Sequence, residues 1–78
     1  MTNLEKYIAI FTETLRLSVE EVKQARFKET WQWDSVCHVG LISRIEVDFD
    51  ISLEPDDLLD FTSFAAGLEI LPKYGISF

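Results

Sequence analysis

Ser35 follows Asp34 at the head of the most clearly patterned apolar stretch in the chain, and that placement gives its hydroxyl a chemistry. An aspartate just before a helix is a good N-cap. The first turn it opens carries unpaired backbone N–H groups and the positive end of the helix dipole. A phosphodiester on a hydroxyl at that point gains about 0.3–1 kcal/mol from the field. No base or oxyanion constellation is discernible around Ser35, so the hydroxyl reads as a group to be modified and not as an activated nucleophile. From Asp-Ser-Val alone, the ordinary reading is a serine that merely follows a cap. Cys37 falls in the same first turn, where a thiol pKa can be lowered, although a cysteine is more often a small buried filler. His38 comes three residues after Ser35. Protonated, it would reach a phosphate; packing against the preceding loop is its commoner role. Adjacent in sequence, Cys37 and His38 point about 100° apart on a helix and form no nucleophile–base pair.

The elements that must position Ser35 are helical. Val36, Val39, Ile42, Ile45 and Phe49, with Leu41 flanking, recur every three or four residues and predict a helix from Asp34 to about Phe49. Leu4, Ile8, Phe11 and Leu15, with Tyr7 beside them, predict a helix over about 3–16, capped by Thr2 or Asn3. Ser18-Val19-Glu20-Glu21 is a capping box, so a short helical turn follows. Residues 24–33 show no clean period and hold Trp31 and Trp33. They predict an ordered loop pinned by its aromatics. Ile51 and Leu53 point inward from an extended stretch. Pro55 suits the first position of a short helix with Asp56 and Asp57 in its first turn and Leu58, Leu59 and Phe61 as its apolar contacts. Thr62 or Ser63 caps a last helix with Phe64, Leu68 and Leu71 on one face, and Pro72 ends or kinks it. No segment alternates as a strand. The expected architecture is an all-α four-helix bundle, three longer helices and one short one, filling residues 1–78 as a single domain.

Seventy-eight residues at 9.0 kDa bound a thin core, which argues against an enzyme with its own deep cleft. With one cysteine and one histidine, an intrachain disulfide framework and a zinc site are excluded. The formal net charge is −7. Phosphate-rich partners repel that charge, so nucleic acid and anionic membrane are disfavoured and a basic protein partner is favoured. Residues 1–30 hold five acids and five bases; residues 31–78 hold nine acids against Arg44 and Lys73, and carry the whole imbalance. The segment after Met1 lacks the basic and apolar regions of a signal peptide, and no apolar run approaches a membrane span. A whole, cytoplasmic, monomeric protein without membrane insertion is expected.

The run Trp33-Asp34-Ser35-Val36-Cys37-His38-Val39-Gly40-Leu41-Ile42, followed by Ile45-Glu46-Val47-Asp48-Phe49-Asp50-Ile51, resembles the acyl carrier proteins. The signature of that family is Asp-Ser-Leu (or Val, Ile) at the head of its second helix, then an aliphatic helix, an acidic patch and Phe-x-Ile. Ile51-x-Leu53 with the acids after it, and Phe61-Thr62-Ser63 before a final helix, match the family's ending. The resemblance spans nearly the whole chain in order and looks like a bacterial group of free-standing carriers. It implies that Ser35 receives 4′-phosphopantetheine from coenzyme A through a separate Mg²⁺-dependent phosphopantetheinyl transferase. The thiol of that arm would hold an acyl group as a thioester, as in fatty acid biosynthesis. It also implies a carrier and not a catalyst. Asp34 would serve the attachment site. Val36, Glu46, Asp48, Asp50, Asp56 and Asp57 would meet basic patches on the transferase and on acyl-loading and acyl-transferring enzymes; such charge steering favours fast, weak, salt-sensitive encounters. A disulfide between Cys37 and the arm is conceivable on the same reading.

Three positions depart from the fatty-acid pattern. Gly40 stands where an acid is frequent, Ser43 where Met is, and Arg44 where Ala is. Gly40 inside a helix costs about 1 kcal/mol against alanine, which close packing or access for an attached chain would explain. These departures raise the alternative of a specialised aminoacyl or peptidyl carrier. An unmodified helical interaction module is the reading from another class.

Overall fold

The computed structural model describes residues 2–78. Caps set its boundaries. Thr2 closes a capping box with Glu5 and opens α1 (Asn3–Leu15); Ser18 and Glu21 do the same for the single turn α2 (Val19–Val22). Asp34 opens α3 (Ser35–Phe49), accepting from Cys37 N–H at 2.9 Å. Pro55 sits at the first position of α4 (Pro55–Asp60), and Ser63 caps α5 (Phe64–Ile70) through Ala66 N–H. Pro72 ends the α-helix as expected: the chain tightens into a 3₁₀ turn (Leu71–Tyr74) and leaves through Gly75 at φ 87°. The protein is all-α, and no strand forms among the described residues. A lone antiparallel bridge, Arg26 to Ser63, stitches the loop after α2 to the start of α5 through Phe27 N–H to Thr62 C=O (2.8 Å) and Phe64 N–H to Ala25 C=O (3.2 Å). No helix among the described residues is long and apolar enough to cross a membrane.

α1 packs along α3, with Tyr7 and Phe11 at the centre of the core. Tyr7 replaces Leu4 as the upper anchor of the α1 stripe; Leu4 is exposed. The Tyr7 hydroxyl donates to the Phe64 carbonyl at 2.7 Å, and burial pushes its pKa up. Its ring lies 4.8 Å from those of both Phe11 and Phe64. Gly67 of α5 backs onto this ring and onto Phe61. Gly40, in contrast, faces open space, so close packing is not its reason.

α3 is rotated from its expected face. Leu41, Ile42 and Ile45 are buried, whereas Val36 and Val39 are exposed. His38 provides the reason. Its Nδ1 accepts from the indole Nε1–H of Trp33 at 3.0 Å, and its ring stacks on Phe27 at 4.5 Å. These contacts turn the His38–Leu41–Ile45 side inward and swing the first valines out. The two tryptophans part company: Trp33 is completely buried against Phe11, while Trp31 is 83% exposed. Leu53 is buried and Ile51 packs partly against the core, as the extended reading required.

Candidate functional site

Ser35 occupies the first position of α3 and is exposed. Val36 beside it is 80% exposed, an apolar side chain presented to solvent. Asp34 caps the turn. The backbone hydrogen bond from Cys37 is the main cause that holds its carboxyl below the usual carboxylate range. This corrects one expectation: the Cys37 amide is already taken by Asp34, so the turn offers a phosphate on Ser35 fewer open donors than a bare helix start.

For Cys37 and His38 the commoner readings from the sequence hold: Cys37 packs partly against the core, and His38 packs on the loop that precedes α3. The Cys37 thiol pKa is raised, not lowered, first by desolvation and then by the Asp34 carboxylate. A raised pKa suppresses the thiolate and with it easy disulfide exchange. His38 is not poised to meet a phosphate as a cation. Desolvation lowers its pKa, outweighing a backbone contact with Leu58 that acts the other way, and Nδ1 is filled by the Trp33 N–H. The unfolded chain takes up this proton near the ordinary value of 6.5, whereas the folded chain resists until lower pH. Stability is therefore expected to fall as pH drops below about 6.5, before Asp34 and Asp57, whose pKa values are depressed, begin to lose theirs below about 4. Thermal midpoints from about pH 8 to about pH 2 check this: His38→Gln should flatten the first decline and leave the second.

The acids proposed from the sequence fall into two groups. Asp50 and Asp56 are exposed. Asp50 turns the chain out of α3 in the left-handed region at φ 55°, and Asp56 lies in the first turn of α4. Asp48 is exposed but lies 3.4 Å from Arg44 Nε, while the other side of that guanidinium meets Glu13 of α1 at 2.9 Å. The one cation of α3 is thus neutralised within the molecule. Glu46 points part of its charge inward, accepting from Leu53 N–H at 2.8 Å and so bracing the stretch that leads to α4.

Asp57 is the correction. It is 8% exposed, the one buried charged residue among those described, and its carboxylate is engaged by Lys73 Nζ at 2.6 Å and the Tyr74 hydroxyl. A carboxylate held in this way faces the body of the protein and not a partner.

Beside the entrance to α3 runs an apolar groove. Two adjoining hollows share His38 and Leu58: one of about 440 Å³ between Phe27, Pro55 and Leu59, the other of about 220 Å³ against Val39, Ile42 and Ser43. A third hollow, of about 350 Å³, lies on the other side of the entrance, walled by Arg16, Trp31, Asp34 and Cys37. The sequence did not reveal Phe27, Tyr74 or Lys73 as contributors. Their partners are far away in the chain; the demand that a buried carboxylate be satisfied could have pointed to Lys73 and Tyr74, whereas no polar demand marks Phe27, which stacks on His38. No grouping of residues that could hold a metal ion occurs among those described. The chain matches no family model, no curated protein and no solved structure.

Proposed function

We propose that the protein is a carrier of the acyl-carrier type, with 4′-phosphopantetheine on Ser35 and its cargo held as a thioester on the arm. The observation that carries this reading is an exposed serine hydroxyl at the first turn of α3, set between the Asp34 cap and an apolar groove. In the attachment step the Ser35 Oγ–P bond forms as the P–O bond within the coenzyme A pyrophosphate breaks. Adenosine bisphosphate leaves, and the serine proton passes to a base of the transferase. The chain contributes the hydroxyl and the docking surface; catalysis belongs to its partners. Val36 and Asp34 at the entrance, Asp48 and Asp50 at the far end of α3 and Asp56 on α4 are exposed apolar and acidic groups, suited to basic patches on a phosphopantetheinyl transferase and on acyl-handling enzymes of the cytoplasm. A chain sheltered in the groove would gain about 0.8 kcal/mol per buried CH₂.

Incubating the apo protein with coenzyme A, Mg²⁺ and a broad-specificity transferase is expected to add one phosphopantetheinyl group by intact mass, and Ser35→Ala none. Wild type left unmodified by several transferases would refute the reading and leave the unmodified interaction module. Within the carrier reading, Ser43 places a hydroxyl in an otherwise apolar groove and favours a cargo with a hydrogen-bonding group over a plain saturated chain. The mass of the thioester on protein from its own host decides: a long saturated acyl group would exclude the specialised cargo.

A further inference from the structure

α4 has six residues, too few for a helix to hold itself in water. Its N-cap Glu54 makes no side-chain cap, and Asp57 is its one buried residue. Asp57 stands at the third helical position, where an acidic side chain ordinarily reaches back to the N-cap amide and closes a capping box. That half of the box is bridged here by an inserted hydroxyl. Tyr74 OH accepts from Glu54 N–H at 2.8 Å and donates to Asp57 Oδ2 at 2.5 Å. Lys73 Nζ covers Asp57 Oδ1 at 2.6 Å. The 3₁₀ turn at the far end of the chain thus supplies the cap that α4 lacks. α4 in turn supplies Pro55, Leu58 and Leu59 as one wall of the groove beside α3.

We propose that α4 is a conditional helix, its N-cap amide and Asp57 bridged by Tyr74 from a distant part of the chain, so that docking of the 3₁₀ turn decides whether the α4 wall of the groove is formed. The inference rests on the carrier reading only for what uses the groove; the latch itself needs no arm on Ser35. Four charged or titratable groups bear on Asp57 and its partners: Lys73 and Tyr74 from the 3₁₀ turn, and Glu54 and Asp60 from the two ends of α4. Lys73 and Tyr74 both favour the ionised carboxylate, and Asp60 adds to the field that keeps Lys73 charged. Protonating Asp57 cancels the charge that holds Lys73 on one oxygen and Tyr74 on the other, and turns one of the two acceptors into a donor, so the latch weakens in acid.

The test uses the full apo chain. Amide hydrogen exchange is followed across residues 56–61 and across the centres of α1 and α3. In Tyr74→Phe, which deletes a single oxygen, α4 exchange should quicken about tenfold while the α1 and α3 amides change less than about twofold. Binding of the neutral fluorophore N-phenyl-1-naphthylamine should change about threefold or more with it, because a wall of the groove has moved. Adding Glu54→Ser to Tyr74→Phe gives α4 a cap of its own and should return both readouts toward wild type. The proposal is overturned by α4 amides that exchange as in wild type, by acceleration equal to that of α1 and α3, or by failure of the local cap to rescue. The transferase assay on Ser35 does not enter, so the two readings fail separately.

Discussion

Trp33→Ala is expected to cost the domain about 3–5 kcal/mol, a loss comparable with the whole stability of many small proteins. Trp33 has no exposed surface, meets Phe11 edge-on at 5.3 Å and gives its N–H to His38. Truncation opens a cavity beneath α1 and also leaves the His38 acceptor without its donor, so a packing loss and an unsatisfied polar group add. Trp31→Ala should shift the urea midpoint by less than the equivalent of about 0.5 kcal/mol, because its indole already stands in solvent. Equal effects at the two positions would contradict the core assigned here.

The two internal glycines are expected to respond with opposite signs. Alanine normally improves a glycine inside a helix by about 1 kcal/mol, and Gly40→Ala should do so, since its Cβ would meet nothing within 4 Å. Gly67→Ala should instead destabilise by about 3 kcal/mol. Its Cβ would land on the Tyr7 hydroxyl and come within 2.5 Å of Phe61 Cζ. Relief requires Tyr7 to withdraw from the Phe64 carbonyl, so overpacking is joined by the loss of a buried hydrogen bond. Tyr7→Phe in the Gly67→Ala background removes the clashing oxygen. The pair should then be clearly less harmful than the sum of the singles, which denaturant titration of the four proteins measures.

Local chemistry was legible in the chain. Ser18 with Glu21, Asp34, Pro55, Ser63 and Pro72 mark helix starts and stops through hydrogen bonds or ring geometry that reach no further than a few residues, and the helices begin and end there. What spacing could not supply was rotation. Val36 and Val39 continue the period of Ile42 and Ile45 faultlessly, and valine is equally apolar whether it faces a core or a partner. The choice was made by Phe27 and Trp33, loop aromatics whose packing on His38 no helical period encodes. The candidate site divides along the same line. The serine at a helix head, its cap and its exposure follow from Asp34-Ser35; the groove and the inward turn of Asp57 depend on residues brought together from distant stretches. Gly40 and Gly67 look alike in sequence because a glycine declares nothing about what stands opposite its missing methyl.

The bridge between Arg26 and Ser63 has a consequence for recognition. It fastens the loop leading into Ser35 to the body, and Trp33 nails the end of that loop into the interior. The approach to the serine is therefore preorganised: under the proposed function, a protein that docks there meets a surface whose ordering entropy was lost when the domain folded and need not be lost again on contact. Encounters at such a surface can be brief without being inaccurate, and reshaping within this chain is left to α4 and not to the loop.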